Sequence, residues 1–445
     1  MSMQDLIRRI NAVKCSCGRE HRQDIEVVSV GNTALADLAE YLEHQDWKSL
    51  AVIADANTAE VGKGAICHYL PKTLDIQWIQ LETPSDKPLV PDEGAVGRIL
   101  MEIPPDCQVM VALGAGTIND LVRFVSARIG LPFISVPTAP SMDGYASSVA
   151  PLHLGNFKKT FSAHAPRAIF ADSGILATAP AHMVAAGFGD IVGKVTARFD
   201  WQMSHTITGE YYCTYPQELM DEAVRACLSG AKEVGEGSPK LLEALTEALI
   251  LSGIAIMLTG NSRPASGPEH LLAHYWEVQA GLQGKEDALH GAKVGVATPI
   301  CLAFIKKLFA LSEAELRPIY TINPGLREQK VREEYQGVSE QVISEAQAKW
   351  FAPESLRQLQ QNAVKHWSQL QRLAEQLPQP QKMIKQLRVV KGPAFVDEIG
   401  ISREELYRAL LFSREMRSRF TVFDLAGCMG VLEEIAEQVA EEYAG

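Results

Sequence analysis

The sequence predicts a parallel α/β domain followed by an all-helical domain, and three observations carry that reading. Up to about residue 172, short apolar runs alternate with segments of helical periodicity, the pattern of a parallel sheet covered on both faces. One of those runs, 109–113, ends at a glycine turn, Gly114-Ala115-Gly116, from which a helix starts. From about Pro180 onward no strand-like run appears, only long amphipathic or wholly apolar segments.

Taken in order, 25–30 reads as a strand and 33–43 as a helix with Leu35, Leu38 and Leu42 on one face. Residues 50–54 form a buried strand that ends at Asp55, with Asn57 and Thr58 placed to cap the next helix. A strand at 76–81 and a helix at 92–103 lead to the central strand 109–113. Ile118, Leu121, Val122 and Val125 then recur at helical spacing, so a helix begins near Thr117. A buried strand at 133–136 runs into a loop held extended by Pro137 and Pro140, and 168–170 closes the series before Asp172. Helices follow at 183–199, 217–234, 241–258, 270–282, 295–310 and 354–377, with a break at 378–381 and a last helix at 432–443, charged on one face and expected on the outside. The domain boundary falls near 178, giving a nucleotide-binding domain over 1–178 and a helical domain over 179–445.

Composition narrows the class. The chain has 445 residues, 47% hydrophobic and 22% charged, the balance of a globular protein whose length suits two domains. A net charge of −12 argues against nucleic acid or an anionic membrane surface as partner. The most apolar helix, near 244–260, carries Glu247 and is expected to be a core helix rather than a membrane span. No apolar segment follows the opening residues 1–10, and the eight cysteines are thinly spread; both suit a cytoplasmic protein.

The glycine turn after 109–113 places backbone N–H groups at a helix N-terminus, an arrangement that binds phosphate, although the third glycine of the usual dinucleotide fingerprint is replaced by Asp120. On its own it is equally an ordinary strand-to-helix turn. The loop T-A-P-S-M-D-G-Y-A-S at 138–147, with Ser141, Asp143 and Ser147, leaves the carboxyl end of a second strand and so lines the same crevice. Asp55 stands where an acidic residue meets the ribose hydroxyls of NAD, or is a plain cap.

In the helical domain, Asp190 lies in A-G-F-G-D-I-V-G-K, and His270 and His274 lie one turn apart behind Pro268 in P-E-H-L-L-A-H. His290 follows in D-A-L-H-G-A-K. One carboxylate and two imidazoles leave coordination positions open, as a catalytic divalent metal requires; histidines packed on apolar faces are the other reading. Cys15, Cys17 and His21 in K-C-S-C-G-R-E-H offer three zinc ligands where a closed site takes four, or are small residues in a turn before the first strand. Lys158, Lys159 and Lys194 are candidate phosphate partners.

In this order G-A-G-T-I-N-D, P-T-A-P-S-M-D-G-Y-A-S, G-F-G-D, G-P-E-H-L-L-A-H and L-H-G resemble the sn-glycerol-1-phosphate dehydrogenase family, of the iron-containing alcohol dehydrogenase and dehydroquinate synthase-like fold. The resemblance spans about residues 20–320. It implies a Rossmann-like nucleotide-binding domain, an all-helical domain, an active site between them, and metal-dependent NAD(P)H-linked reduction of dihydroxyacetone phosphate to sn-glycerol 1-phosphate. It further implies that Asp190, His270 and His290 hold one zinc or nickel ion. By the same resemblance, Gly114, Ala115, Gly116, Thr117, Ile118, Thr138, Ala139, Pro140, Ser141 and Ser147, with Asp55 more loosely, bind NAD(H) or NADP(H), while Asp143 and His274 meet the substrate. The partners implied are a small phosphorylated three-carbon substrate and other copies of the chain, as a homodimer or larger homo-oligomer, with no nucleic acid and no membrane insertion. The tail after about 330 departs from the compact archaeal members and looks like the longer bacterial branch. Other members of the fold, a glycerol or alcohol dehydrogenase or a dehydroquinate-synthase-like cyclase, are the alternatives, though the cyclase's lysine- and arginine-rich set is not seen. A catalytically silent nucleotide-binding protein ranks last, since all three metal ligands are present.

Overall fold

The computed structural model describes residues 3–82, 89–154, 157–319 and 321–444. The first part alternates as read: α1 (Met3–Ala12), β1 (Val27–Gly31), α2 (Ala34–Glu43), β2 (Ser49–Asp55), α3 (Ala56–Tyr69), β3 (Asp75–Leu81), α4 (Glu93–Glu102), β4 (Val109–Gly114), α5 (Gly116–Ile129) and β5 (Phe133–Pro137). A 3-10 turn at Gly144–Ala146 then leads to β6 (Val149–Leu154), β7 (Phe157–Ser162) and β8 (Ala168–Asp172). Six strands form one sheet in the order β1-β8-β5-β4-β2-β3, with every pairing parallel.

The unbroken apolar runs follow from burial on both faces. Leu50, Val52 and Ala54 of β2 pack with α2 and α3, while Ala51 and Ile53 pack with α4 and α5 on the other side. The same alternation sends Val109, Val111 and Leu113 of β4 one way and Met110 and Ala112 the other. Each such residue contributes about 1.5–3 kcal/mol by leaving water, so the central strands are strongly determined.

The topology also fixes where a ligand can bind. β2 and β4 are neighbours, but β2 continues through α3 to β3 at one edge, whereas β4 continues through α5 to β5 on the other side. The strand order reverses between the carboxyl ends of β2 and β4, the place where open α/β sheets bind ligands. Asp55 ends β2 and Gly114 ends β4.

Two elements here were not foreseen. α1 is amphipathic and buries Met3, Ile7 and Ile10. β6 and β7 form an antiparallel hairpin outside the main sheet, with Leu152 joining the core around α5.

After β8 and the short α6 (Ser173–Leu176), the described residues contain helices and 3-10 turns and no further strand: α7 (Ala181–Thr208), α8 (Thr214–Ser229), α9 (Ala231–Gly235), α10 (Pro239–Thr259), α11 (Pro268–Gln283) and α12 (His290–Ala310). Then come α13 (Pro324–Tyr335), α14 (Ser339–Ala346), α15 (Pro353–Lys365), α16 (Trp367–Glu375), α17 (Pro380–Val389), α18 (Arg403–Phe412), α19 (Val422–Cys428) and α20 (Leu432–Tyr443). The stretch read as one helix over 354–377 is two, separated at His366, and 217–234 is likewise divided at Gly230. α20 is not merely an outer helix: Leu432, Ile435, Ala436, Val439, Ala440 and Tyr443 lie in a large apolar core.

By internal packing the chain forms two compact units, Met1–Ile191 with Glu218–Asn261, and Val192–Gln217 with Ser262–Gly445. α10 therefore belongs with the sheet, packed against β1, α6 and the Gly144–Ala146 turn. At 21 residues it is long and apolar enough to cross a membrane, longer than its sequence reading, but 61% of its most apolar stretch is buried inside the protein, as in a core helix.

Candidate functional site

In the sheet unit, α5 starts immediately after β4, with Ala115 as its N-cap and no side chain capping it. The first turn of a helix leaves backbone N–H groups without intrahelical acceptors, so Gly116, Thr117 and Ile118 offer donors to an anion. The turn is fixed from behind by Asn119, fully buried, whose Nδ2 donates to Gly114 O at 2.8 Å and to Ala115 O at 3.0 Å. Ser135 Oγ of β5 in turn donates to Asn119 Oδ1 at 2.5 Å. Asp55 is the N-cap of α3: its Oδ1 accepts from Thr58 N at 2.8 Å, and Thr58 closes the capping box. Asp55 itself caps this helix, rather than Asn57 or Thr58.

The two glycines differ. A Cβ on Gly114 would lie 2.5 Å from Ile118 Cβ, so that position is occupied by the fold itself. A Cβ on Gly116 would meet nothing nearer than Met142, at 3.4 Å. Gly116→Val is therefore expected to fold normally and to lose nucleotide binding, because the isopropyl group fills the space over the helix N-terminus. Calorimetry returning an unchanged NADH affinity for this variant would remove the turn from the site.

The loop after β5 is held equally firmly. Thr138, Ala139, Pro140, Ser141 and Ser147 are buried, and Thr138 N donates to Gly114 O at 3.3 Å. Tyr145 Oη donates to Ala139 O, and Ser147 Oγ donates to Val149 O at 3.1 Å. Buried Arg123 of α5 pairs with Asp120 at 2.5 Å and donates to Gly144 O at 2.5 Å. Asp143 accepts from Ser252 Oγ of α10 at 2.8 Å, and its own N–H donates to Asp190 Oδ2 at 3.0 Å. Asp190, on α7, is fully buried.

In the second unit, three imidazoles cluster. Ring centroids are 5.3 Å apart for His270 and His290, 5.2 Å for His274 and His290, and 6.2 Å for His270 and His274. Carboxylates hold the same atom of each ring. His270 Nδ1 donates to Glu269 Oε1 at 2.8 Å, His290 Nδ1 to Glu277 Oε1 at 2.7 Å, and His274 Nδ1 to Glu277 Oε2 at 3.2 Å. A carboxylate only accepts, so each Nδ1 carries the proton and each Nε2 its lone pair. That is the arrangement of metal-binding histidines.

Glu269 is completely buried; burial alone would raise its carboxyl, but hydrogen bonds from His270, Thr196 and Gly267 N–H outweigh it, and the net shift is downward. It stays ionised. Burial pushes His274 down to about 3 against the pull of Glu277, so its ring is neutral above that pH. Lys293, also buried, pairs with Asp287 and lies 3.4 Å from Glu277 Oε1.

The sheet unit thus brings together Gly114–Ile118, the 138–147 loop and Asp190, and the second unit brings together His270, His274 and His290. Lys159 is exposed and its Nζ lies 5.4 Å over the ring of Phe161; Lys194 is buried on α7; the side chain of Lys158 lies outside the described residues. Glu269, Glu277, Asn119 and Arg123 are the supporting residues that the sequence reading passed over.

A family model for the iron-containing alcohol dehydrogenases matches residues 29–180. The glycerol-1-phosphate dehydrogenase [NAD(P)+] of Geobacillus stearothermophilus is 36% identical over 416 residues, covering 92% of this chain and 95% of that protein. The protein of the same name from Sulfurisphaera tokodaii is 41% identical over 196 residues, 44% of this chain and 55% of its own. Among solved structures, a probable glycerol dehydrogenase from Sinorhizobium meliloti superposes with a TM-score of 0.59 at 17% identity, over 93% of this chain and 98% of that one, a likeness of fold alone. With the bacterial match running through both units, the chain belongs to the glycerol-1-phosphate dehydrogenase family.

Proposed function

We propose that this chain catalyses the reversible NAD(P)H-linked reduction of dihydroxyacetone phosphate to sn-glycerol 1-phosphate, using one divalent metal ion per chain, zinc or nickel. The observation that carries the reading is the pair His270 and His290, each with Nδ1 held by a carboxylate, which fixes the tautomer whose Nε2 carries the lone pair. Asp190, His270 and His290 are the residues proposed to hold the ion. Bound there, it supplies Lewis-acid polarisation of the substrate carbonyl, and NAD(P)H supplies the hydride.

The chain's own residues do the rest. Gly114 to Ile118 bind the pyrophosphate through backbone N–H groups, Thr138 to Ser141 and Ser147 line the nucleotide's path, and Asp55 receives a ribose hydroxyl. Asp143, oriented by Ser252, and neutral His274 position the substrate hydroxyls and pass the proton that the new alcohol needs. Lys194 is the candidate partner for the substrate phosphate. The enzyme works in the cytoplasm as a homodimer or larger homo-oligomer, without nucleic acid or membrane insertion.

The test is NADH and NADPH oxidation with dihydroxyacetone phosphate against unphosphorylated dihydroxyacetone, after chelation and re-addition of zinc or nickel. Turnover of the phosphate ester that chelation abolishes and metal restores is expected. Equal rates on the two ketones, or full activity in chelated enzyme, would defeat the proposal.

A further inference from the structure

We propose that Cys15, Cys17 and His21 bind a zinc ion at a structural site, separate in its residues from the histidine cluster. These residues lie in the stretch between α1 and β1, which contains no helix or strand. The geometry there is that of a ligand loop. Gly18 adopts φ +76°, and its N–H donates to Cys15 O at 3.3 Å, closing a tight turn over the C-x-C pair. Arg19 N–H then points at Cys17 Sγ, 3.4 Å away, a contact that stabilises a sulfur carrying negative charge.

His21 supplies the independent argument. It is 1% exposed, and its Nδ1 lies 2.7 Å from Leu258 O near the end of α10. A carbonyl oxygen only accepts, so the proton sits on Nδ1 and Nε2 presents a lone pair. That lone pair lies 3.3 Å from Cys17 Sγ. Two electron-rich atoms face each other only with a proton or a cation between them. Zn–S of about 2.3 Å and Zn–N of about 2.0 Å at a tetrahedral angle put sulfur and nitrogen about 3.5 Å apart, close to what is found. The backbone carbonyl on Nδ1 is the usual outer partner of a zinc-bound histidine. A fourth donor, thiolate or water, completes the shell. Zinc here would tie the segment after α1 to the end of α10, both parts of the sheet unit.

Cobalt substitution of the full-length protein tests this, because thiolate ligation gives a near-ultraviolet charge-transfer band that a site of carboxylate and imidazoles does not. The band is expected in the wild-type protein, retained in His270→Ala, and lost in Cys15→Ser/Cys17→Ser together with one equivalent of bound metal. Should the double variant fail to fold, alkylation of the wild-type thiols decides: Cys15 and Cys17 are expected to resist iodoacetamide until zinc is chelated. Absence of the cobalt band in wild-type protein, or alkylation of these two cysteines at the same rate with and without chelator, would overturn the site and leave an S–H···N hydrogen bond in its place.

Discussion

Replacing His270 or His290 by alanine is expected to remove the catalytic metal and about three to four orders of magnitude of kcat/KM, while NADH binding survives. Lewis-acid polarisation of a carbonyl contributes several kcal/mol to the transition state, and each 1.36 kcal/mol, roughly, is a factor of ten in rate. The imidazoles stand on α11 and α12, whereas the proposed phosphate donors are backbone groups of the turn between β4 and α5. That turn is held by the side chain of Asn119, which bonds Gly114 O and Ala115 O. Asp190→Ala should lose metal too, but with some loosening of the loop, since Asp190 Oδ2 also accepts from Asp143 N. Glu277→Gln is the graded case. It keeps the shape but no longer holds two Nδ1–H groups on one anion, so metal affinity should fall by about 10- to 100-fold with turnover recoverable at high metal. Metal analysis beside NADH fluorescence titration reads both quantities. An alanine variant at either histidine with wild-type activity would rule the mechanism out.

The central strands were legible because burial on both faces leaves no polar position to confuse the period, as in 50–54 and 109–113. The β6–β7 hairpin was not. Pro151 and two consecutive lysines break its apolar alternation, and it packs beside α5 rather than in the main sheet. The packing units were hidden for another reason: α10 is as apolar as any helix of the second unit, and only its contacts with β1, α6 and the Gly144–Ala146 turn assign it to the sheet.

At the site, residue type exposed the candidates and missed their supports. His270, His274 and Glu277 are spaced i, i+4, i+7, one face of α11, so Glu277 was available from periodicity once the histidines had been noticed. Glu269 was not, because a residue adjacent to His270 on a helix points elsewhere. It reaches back to the ring only because α11 begins at Pro268 and Glu269 lies in its first turn, where its carboxylate also accepts from Gly267 N at 2.7 Å. Asn119 acts in the same hidden way, as a neutral amide that holds the turn without touching any ligand.

Gly187→Ala is expected to be the most damaging single methyl in the sheet unit, lowering both stability and nucleotide affinity. Gly187 lies on α7 in the G-F-G-D run, and a Cβ built there would sit 1.8 Å from Pro140 O and 2.7 Å from Pro140 C. The obstacle is backbone, and that backbone has little room to retreat. Thr138 N is bonded to Gly114 O and Tyr145 Oη holds Ala139 O, so both residues leading into Pro140 are anchored. Overpacking a fixed core costs about 1–3 kcal/mol and occasionally more, and a direct backbone clash belongs at the upper end. For a unit of this size that corresponds to a fall of about 6–12 °C in Tm. What yields is the 138–141 loop, so KM for NADH should rise together with the loss of Tm. Gly116→Ala is the control, because its nearest neighbour is the flexible Met142 side chain at 3.4 Å; it should keep its Tm. Differential scanning calorimetry and NADH titration of the two variants separate a packing role from a ligand role. A Gly187→Ala enzyme with wild-type Tm and wild-type NADH affinity would mean that the loop and α7 do not meet as closely as this.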